Sequence, residues 1–235
     1  MLNIKNEKIK TEDKQSFYDS FNNFIMDEDR KVFFKLEMRS KLYDMVKDKH
    51  GDIVECGVFK GSGLFVWLKL LSLYEPNSIK KVIGFDFFDQ TFIEKIDNKI
   101  DKMAMKEVFT RDSQLTYSDI SLESISQKII KANFNSNQFE LIPGDISITS
   151  KEFLKDRPGF RISLLYLDLN LEIPTYDSLV NLYDRVVPGG LIVFDEYAYH
   201  VWSESNAVDK FIKERNLKIN NTRISAPTAY IIKPE

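Results

Sequence analysis

Acidic side chains recur in this sequence at one kind of place, the carboxyl end of a short apolar run. Asp86 follows Lys81 to Phe85, Asp145 follows Phe139 to Ile142 by way of a Pro-Gly pair, Asp168 follows Ile162 to Leu167, and Asp195 follows Leu191 to Phe194, with Glu196 directly after it. Asp168, Asp195 and Glu196 make the sharpest group. Three carboxylates on neighbouring strand ends repel one another unless a cation or a bound proton compensates. All-oxygen ligation suits Mg²⁺, which uses a few carboxylates and keeps several waters. An ion held there could bind a hydroxyl or a vicinal diol, lower its pKa and make it a nucleophile near neutral pH. With no ligand, the same residues would form a charged rim that caps helices.

Candidates for a general base are few. Asp168 comes first, because one carboxylate could both bind metal and accept a proton. His200, five residues past Asp195, has a suitable intrinsic pKa. A lone loop histidine can equally be solvated, and His50 reads as structural or exposed. Tyr197, Tyr199, Trp202 and Glu204 follow Asp195 and could line a sugar pocket or form a packed lid. Cys56, with no histidine near it in sequence, reads as a small buried strand residue rather than a nucleophile.

A second constellation lies upstream. Val54 to Gly63 carries glycines at 57, 61 and 63, placed to form a turn between a strand and a helix. Such a turn lets a ligand approach the backbone and meet free N–H groups. The spacing is G-x-x-x-G-x-G rather than the G-x-G-x-x-G dinucleotide fingerprint, which weakens a nicotinamide reading. Asp86 stands 23 residues beyond Gly63 at the end of the next strand. A carboxylate there can accept both hydroxyls of a ribose. Phe87 and Phe88 could wall a purine ring or belong to the core.

These residues need a scaffold, and the hydrophobic pattern predicts one. Residues 1–50 form an N-terminal helical segment, with apolar residues at helical spacing from Phe17 to Val46. From Gly51 onward, apolar strands alternate with helices: strands near 53–54, 81–85, 139–142, 162–167 and 191–194, and helices over 64–74, 176–187 and 207–214. The expected fold class is α/β, a doubly wound, Rossmann-like, mostly parallel sheet with helices on both faces over residues 51–235. Late strands near 217–219 and 229–232 suit an antiparallel C-terminal edge. Ligands of such sheets sit outside the carboxyl ends of the strands, where the acidic residues lie. Residues 90–137, rich in charge and without a clear strand, are expected as a lid or insertion. Met103, Met105, Val108 and Phe109 give that stretch an apolar face for a substrate or a second subunit.

Composition narrows the function further. With 33 basic and 36 acidic residues the net charge is −3, and no basic block offers an electrostatic footprint for nucleic acid. A single cysteine excludes an intrachain disulfide framework and points to a reducing, cytoplasmic setting. No apolar stretch approaches the roughly 18 residues that a spanning helix needs.

The run Val54-Glu55-Cys56-Gly57-Val58-Phe59-Lys60-Gly61-Ser62-Gly63, with Ile83 to Phe88, resembles the class I S-adenosylmethionine-dependent methyltransferases. More narrowly it is similar to the macrocin-O-methyltransferase type, which methylates sugar hydroxyls. The match continues through Leu141 to Asp145, Leu164 to Asp168 with Pro174-Thr175, and Val187 to Gly190 with Phe194 to Tyr197. The resemblance implies S-adenosylmethionine as cofactor, held by Glu55, Cys56, Gly57, Gly61, Ser62 and Gly63. Glu55 and Gly57 would lie beside its methionine part, Asp86 and Phe87 by its ribose and ring, and Asp145 near the adenine amino group. It also implies a divalent cation on Asp168, Asp195 and Glu196, and a homodimer or higher homo-oligomer. The chain departs from the family's D-x-D-L-Y-E-P-T, having Asn170 in place of the second aspartate and Glu172 in place of the tyrosine. Methylation of a non-sugar small molecule, and a nucleoside-binding module without catalysis, are the competing functions.

Overall fold

The computed structural model describes residues 11–111 and 115–235. Two helices, α1 (Thr11–Met26) and α2 (Lys31–Asp44), precede an alternation of strand and helix. It runs β1 (Asp52–Cys56), α3 (Ser62–Tyr74), β2 (Val82–Asp86), α4 (Lys99–Arg111), α5 (Tyr117–Ile120), α6 (Leu122–Lys131), β3 (Phe139–Pro143), α7 (Ile146–Lys155), β4 (Ile162–Leu167), α8 (Glu172–Leu182), β5 (Val186–Phe194) and α9 (Glu204–Arg215). The strands β6 (Ile219–Asn221) and β7 (Ala229–Ile232) close the chain. Among the described residues no helix is long and apolar enough to cross a membrane.

The seven strands lie in the order β3-β2-β1-β4-β5-β7-β6. Pairing is parallel from β3 through β5, while β7 runs antiparallel to both β5 and β6. The doubly wound sheet with an antiparallel C-terminal edge is therefore the observed fold. Strand alternation divides the core into two layers. Ile53, Leu164, Tyr166, Leu191 and Val193 face one side, packed with Leu42 and Tyr43 of α2, Trp67 and Leu68 of α3, and Ile125 and Ile129 of α6. Val54, Cys56, Leu165, Leu167, Ile192 and Phe194 face the other, packed with Phe153, Leu179, Val208 and Phe211 of α7, α8 and α9. Each fully buried large side chain contributes about 1.5–3 kcal/mol of transfer free energy. The order of winding reverses between β1 and β4, the place where this architecture leaves a crevice at the strand ends.

Two boundaries differ from the expectation. The helix expected over 176–187 ends at Leu182, and β5 already begins at Val186. Gly189, at φ +71°, lets the Pro188–Gly190 stretch bulge within the strand. Its register against β4 jumps from Ile162↔Val186 to Leu164↔Leu191, while Gly189 and Gly190 bond the backbone of Lys233 at 2.8 Å. Glycine and proline there mark a bulged strand start rather than only a helix stop. In the 90–137 stretch, α6 is a core-packed crossover helix, with Ile125 and Ile129 fully buried.

Candidate active site

The glycine turn sits at the reversal point and is closed by Asp86, the last residue of β2. One carboxylate oxygen of Asp86 accepts from the N–H groups of Val58 (2.6 Å) and Phe59 (2.9 Å), and the other accepts from Phe88 (2.9 Å). Burial raises the Asp86 pKa while these N–H groups lower it. Asp86 thus organises the turn from within, a role additional to the ribose contact expected of it. Gly57, at φ +92°, is pressed against the end of β4, and a Cβ there would lie 2.0 Å from the Asp168 carbonyl oxygen. Gly61 stands at the N-terminus of α3 and Ser62 is its first residue.

Glu55, the second-to-last residue of β1, is buried beside Tyr166, its register partner on β4. Arg39 of α2 donates to its Oε1 at 3.0 Å, and the guanidinium lies over the Tyr166 ring at 4.5 Å and the Trp67 ring at 5.3 Å. Burial pushes the Glu55 pKa up to about 7 against the pull of Arg39, and Glu55 Oε2 has no protein partner. Gly63 makes room for this pair, since a Cβ there would fall 1.8 Å from Glu55 Oε1.

The carboxylates of β4 and β5 are brought together as the topology predicts. Asp195 is buried, accepting a short hydrogen bond from the Tyr166 hydroxyl on Oδ1 and an ammonium from Lys35 on Oδ2 at 2.7 Å. The same ammonium reaches Oδ2 of Asp168 at 3.2 Å. Burial and the neighbouring Asp195 raise the Asp168 pKa, with Lys35 and Arg39 opposing. Glu196 is raised to about 7 by burial and by Asp195 and Asp168, and its Oε2 has no protein partner. Among the described residues, no group of three or more His, Cys, Asp or Glu side chains is arranged to hold a metal ion. The three-carboxylate set expected for Mg²⁺ does not fit, because Lys35 stands between two of its members.

Other expected residues are distributed as follows. Glu55, Gly57, Ser62, Gly63, Asp86, Phe87 and Asp168 line one cavity at the strand ends. Lys35, Arg39 and Asn170 join them in its wall. Cys56 lies in the core with its thiol pKa pushed up by burial, so its side chain packs the sheet rather than facing the cavity. Asp145 caps α7, accepting from Ser147 N–H at 3.0 Å, and Gly144 and Ile146 on either side line the cavity. His200 is exposed, its ring 5.0 Å from that of Tyr199, outside the cavity lining. Glu204, expected in a sugar pocket, is instead fully buried, exchanging hydrogen bonds with the Asn170 backbone at 3.1 and 3.3 Å. An aromatic wall completes the cavity. Phe87 stacks on Phe92 at 5.0 Å, and Phe109 of α4 meets Phe92 at 5.8 Å and Phe59 at 5.4 Å. Met105 and Val108 also line it, whereas Met103 is exposed.

Residues 35–233 match the family described as Macrocin-O-methyltransferase (TylF). The chain belongs to this family. This family member is 26% identical over 148 residues to 8-demethyl-8-(2,3-dimethoxy-alpha-L-rhamnosyl)-tetracenomycin-C 4'-O-methyltransferase of Streptomyces olivaceus, covering 63% of this chain and 53% of that protein. It is equally similar, over the same shares, to demethyldecarbamoylnovobiocin O-methyltransferase of Streptomyces niveus. The chain thus spans about half the length of the curated relatives it matches. Among solved structures, it shares its fold with the O-methyltransferase NovP, at TM-score 0.70 and 22% identity over 85% of this chain and 79% of that one. It also shares its fold with CalS11, a TDP-rhamnose 3'-O-methyltransferase, at TM-score 0.63 and 23% identity over 97% and 96%.

Lys35 and Arg39 were not legible as site residues from composition or strand ends. Their signal was the spacing: Lys31, Lys35 and Arg39 recur every fourth residue, a basic stripe on one face of α2.

Proposed function

We propose that this family member is an S-adenosylmethionine-dependent O-methyltransferase acting on a sugar hydroxyl, carried by a nucleotide, a glycan or a glycosylated natural product. One observation carries the reading: the Asp86-closed glycine turn and Asp168 share one cavity at the reversal point of the sheet. The names of the relatives, one a rhamnosyl-tetracenomycin methyltransferase and one a TDP-rhamnose methyltransferase, support the sugar as acceptor.

The residues present fit the cofactor. Glu55 Oε2, buried without a protein partner in the cavity wall, is a ready acceptor for an ammonium group. Asp86 Oδ1, which accepts a single N–H group, keeps a lone pair for a ribose hydroxyl, and Phe87 offers a flat apolar wall. When bound, S-adenosylmethionine supplies the electrophilic methyl group. Asp168, in the same wall with its basicity raised by burial, would take the proton of the acceptor hydroxyl. Phe59, Phe92 and Phe109 give the cavity an apolar side. The exposed Phe17, Phe21 and Ile25 of α1 support a homo-oligomer in which this face is covered.

Calorimetric titration with S-adenosylhomocysteine tests the reading. Micromolar binding is expected, and sugar acceptors then follow. Absence of binding overturns the methyltransferase assignment.

A further inference from the structure

Helix α2 sets a row of cations against a row of anions. Arg39 pairs with Glu55, Lys35 with Asp168 and Asp195, and the charge of Lys31 acts on Glu196. The middle contact is the informative one. Its 2.7 and 3.2 Å distances are ammonium–carboxylate hydrogen bonds, whereas Mg²⁺ would require oxygens at about 2.0–2.1 Å. Both oxygens of Asp195 are already engaged, Oδ1 by the Tyr166 hydroxyl and Oδ2 by the Lys35 ammonium. Where the family pattern supplies a further carboxylate, this chain has Asn170, which removes one negative charge from the same wall.

We propose that Lys35 is the resident cation of this site, standing between Asp168 and Asp195 in place of a divalent metal, so that the chain's methyl transfer needs no metal ion. The inference rests on the methyltransferase reading for the reaction, but the occupancy of the carboxylate pair stands apart from it. An ammonium has three donors. Two are engaged by Asp168 and Asp195, leaving the third for an acceptor oxygen in the cavity that Lys35 lines. Lys35 is thereby a positioning group: it holds the two carboxylates together and orients the hydroxyl that Asp168 deprotonates.

The test is uptake of Mn²⁺ by the full chain, read from the paramagnetic resonance signal of the free ion, beside calorimetry with S-adenosylhomocysteine in EDTA. The wild-type chain is expected to take up no Mn²⁺ at millimolar ion and to bind S-adenosylhomocysteine equally with and without chelator. Lys35→Ala, which removes the competing charge, is expected to bind Mn²⁺ at least about tenfold more tightly than wild type. Lys35→Arg is expected to keep the wild-type indifference. Micromolar Mn²⁺ binding by wild type that disappears in Asp195→Asn overturns the proposal. So does a Lys35→Ala chain that still binds S-adenosylhomocysteine yet gains no Mn²⁺ affinity. If Lys35→Ala does not fold, the wild-type and Lys35→Arg titrations decide. Failure of wild type to bind S-adenosylhomocysteine counts against the methyltransferase reading alone, because the Mn²⁺ titration still reports what holds the two aspartates.

Discussion

Arg39 and Glu55 join helix α2 to the end of β1 through a buried ion pair at 3.0 Å. The two side chains are 5% and 2% exposed, so the contact is shielded from screening by solvent and salt. Around it are the Tyr166 and Trp67 rings, which lie against the guanidinium, and the missing side chain of Gly63. Replacing Arg39 by Met leaves a buried carboxylate uncompensated, at an expected cost of about 3–5 kcal/mol. Urea unfolding at pH 8 is the measurement, and at pH 5.5 the loss shrinks because Glu55 can protonate.

Gly63→Ala drives a methyl group into that pair. The built Cβ lies 1.8 Å from Glu55 Oε1 and 2.5 Å from Arg39 Nη1, so either the pair or the helix start must move. A loss of at least about 2 kcal/mol is expected, with weaker S-adenosylhomocysteine binding. Gly159→Ala is the control: a Cβ there meets nothing within 4 Å, and thermal melting should place it within about 0.5 kcal/mol of wild type.

Asp86→Asn turns a carboxylate that accepts three backbone N–H groups into an amide whose NH₂ faces donors. The turn loosens and the ribose loses its acceptor. Affinity for S-adenosylhomocysteine is expected to fall at least about tenfold, roughly 1.4 kcal/mol by calorimetry. Unchanged affinity would mean that the nucleoside lies elsewhere.

Stability should fall as pH rises from about 5 through about 7. Glu55, held near 7 in the fold chiefly by burial, keeps a proton that the unfolded chain has already lost by about pH 5. The folded state therefore binds more protons across that window, and raising the pH favours unfolding. Urea midpoints measured from pH 5 to 8 should show the decline. In Glu55→Gln the slope should be shallower rather than flat, because Glu196 is raised in the same direction.

The ends of β2, β4 and β5 were legible because these strands are buried on both faces near their carboxyl ends and so appear as apolar runs, with an acid at or directly after the last residue. That Asp168 and Asp195 meet followed from topology alone, since β4 and β5 are neighbours in a doubly wound order. The cations were harder to see. Lys35 and Arg39 lie among Phe33, Leu36 and Met38, and a charged residue on such a helix ordinarily points to solvent. Only the register of α2 against the sheet turns that face inward. Glu204 misled for the converse reason: a glutamate on a loop after the last parallel strand suggests a wet pocket, but at the start of α9 it is sealed against the Asn170 backbone.

The basic face of α2 also bears on where the folded unit that carries the site starts. The apolar pattern changes at Gly51, and a chain begun there would retain all seven strands and every acidic strand end. It would lose both Lys35 and Arg39. Glu55, Asp168, Asp195 and Glu196 would then face one another across the crevice with their two direct counter-charges gone. The break in hydrophobic pattern thus separates the anions of the site from their cations, and an excised sheet domain is expected to unfold or to take up metal ions.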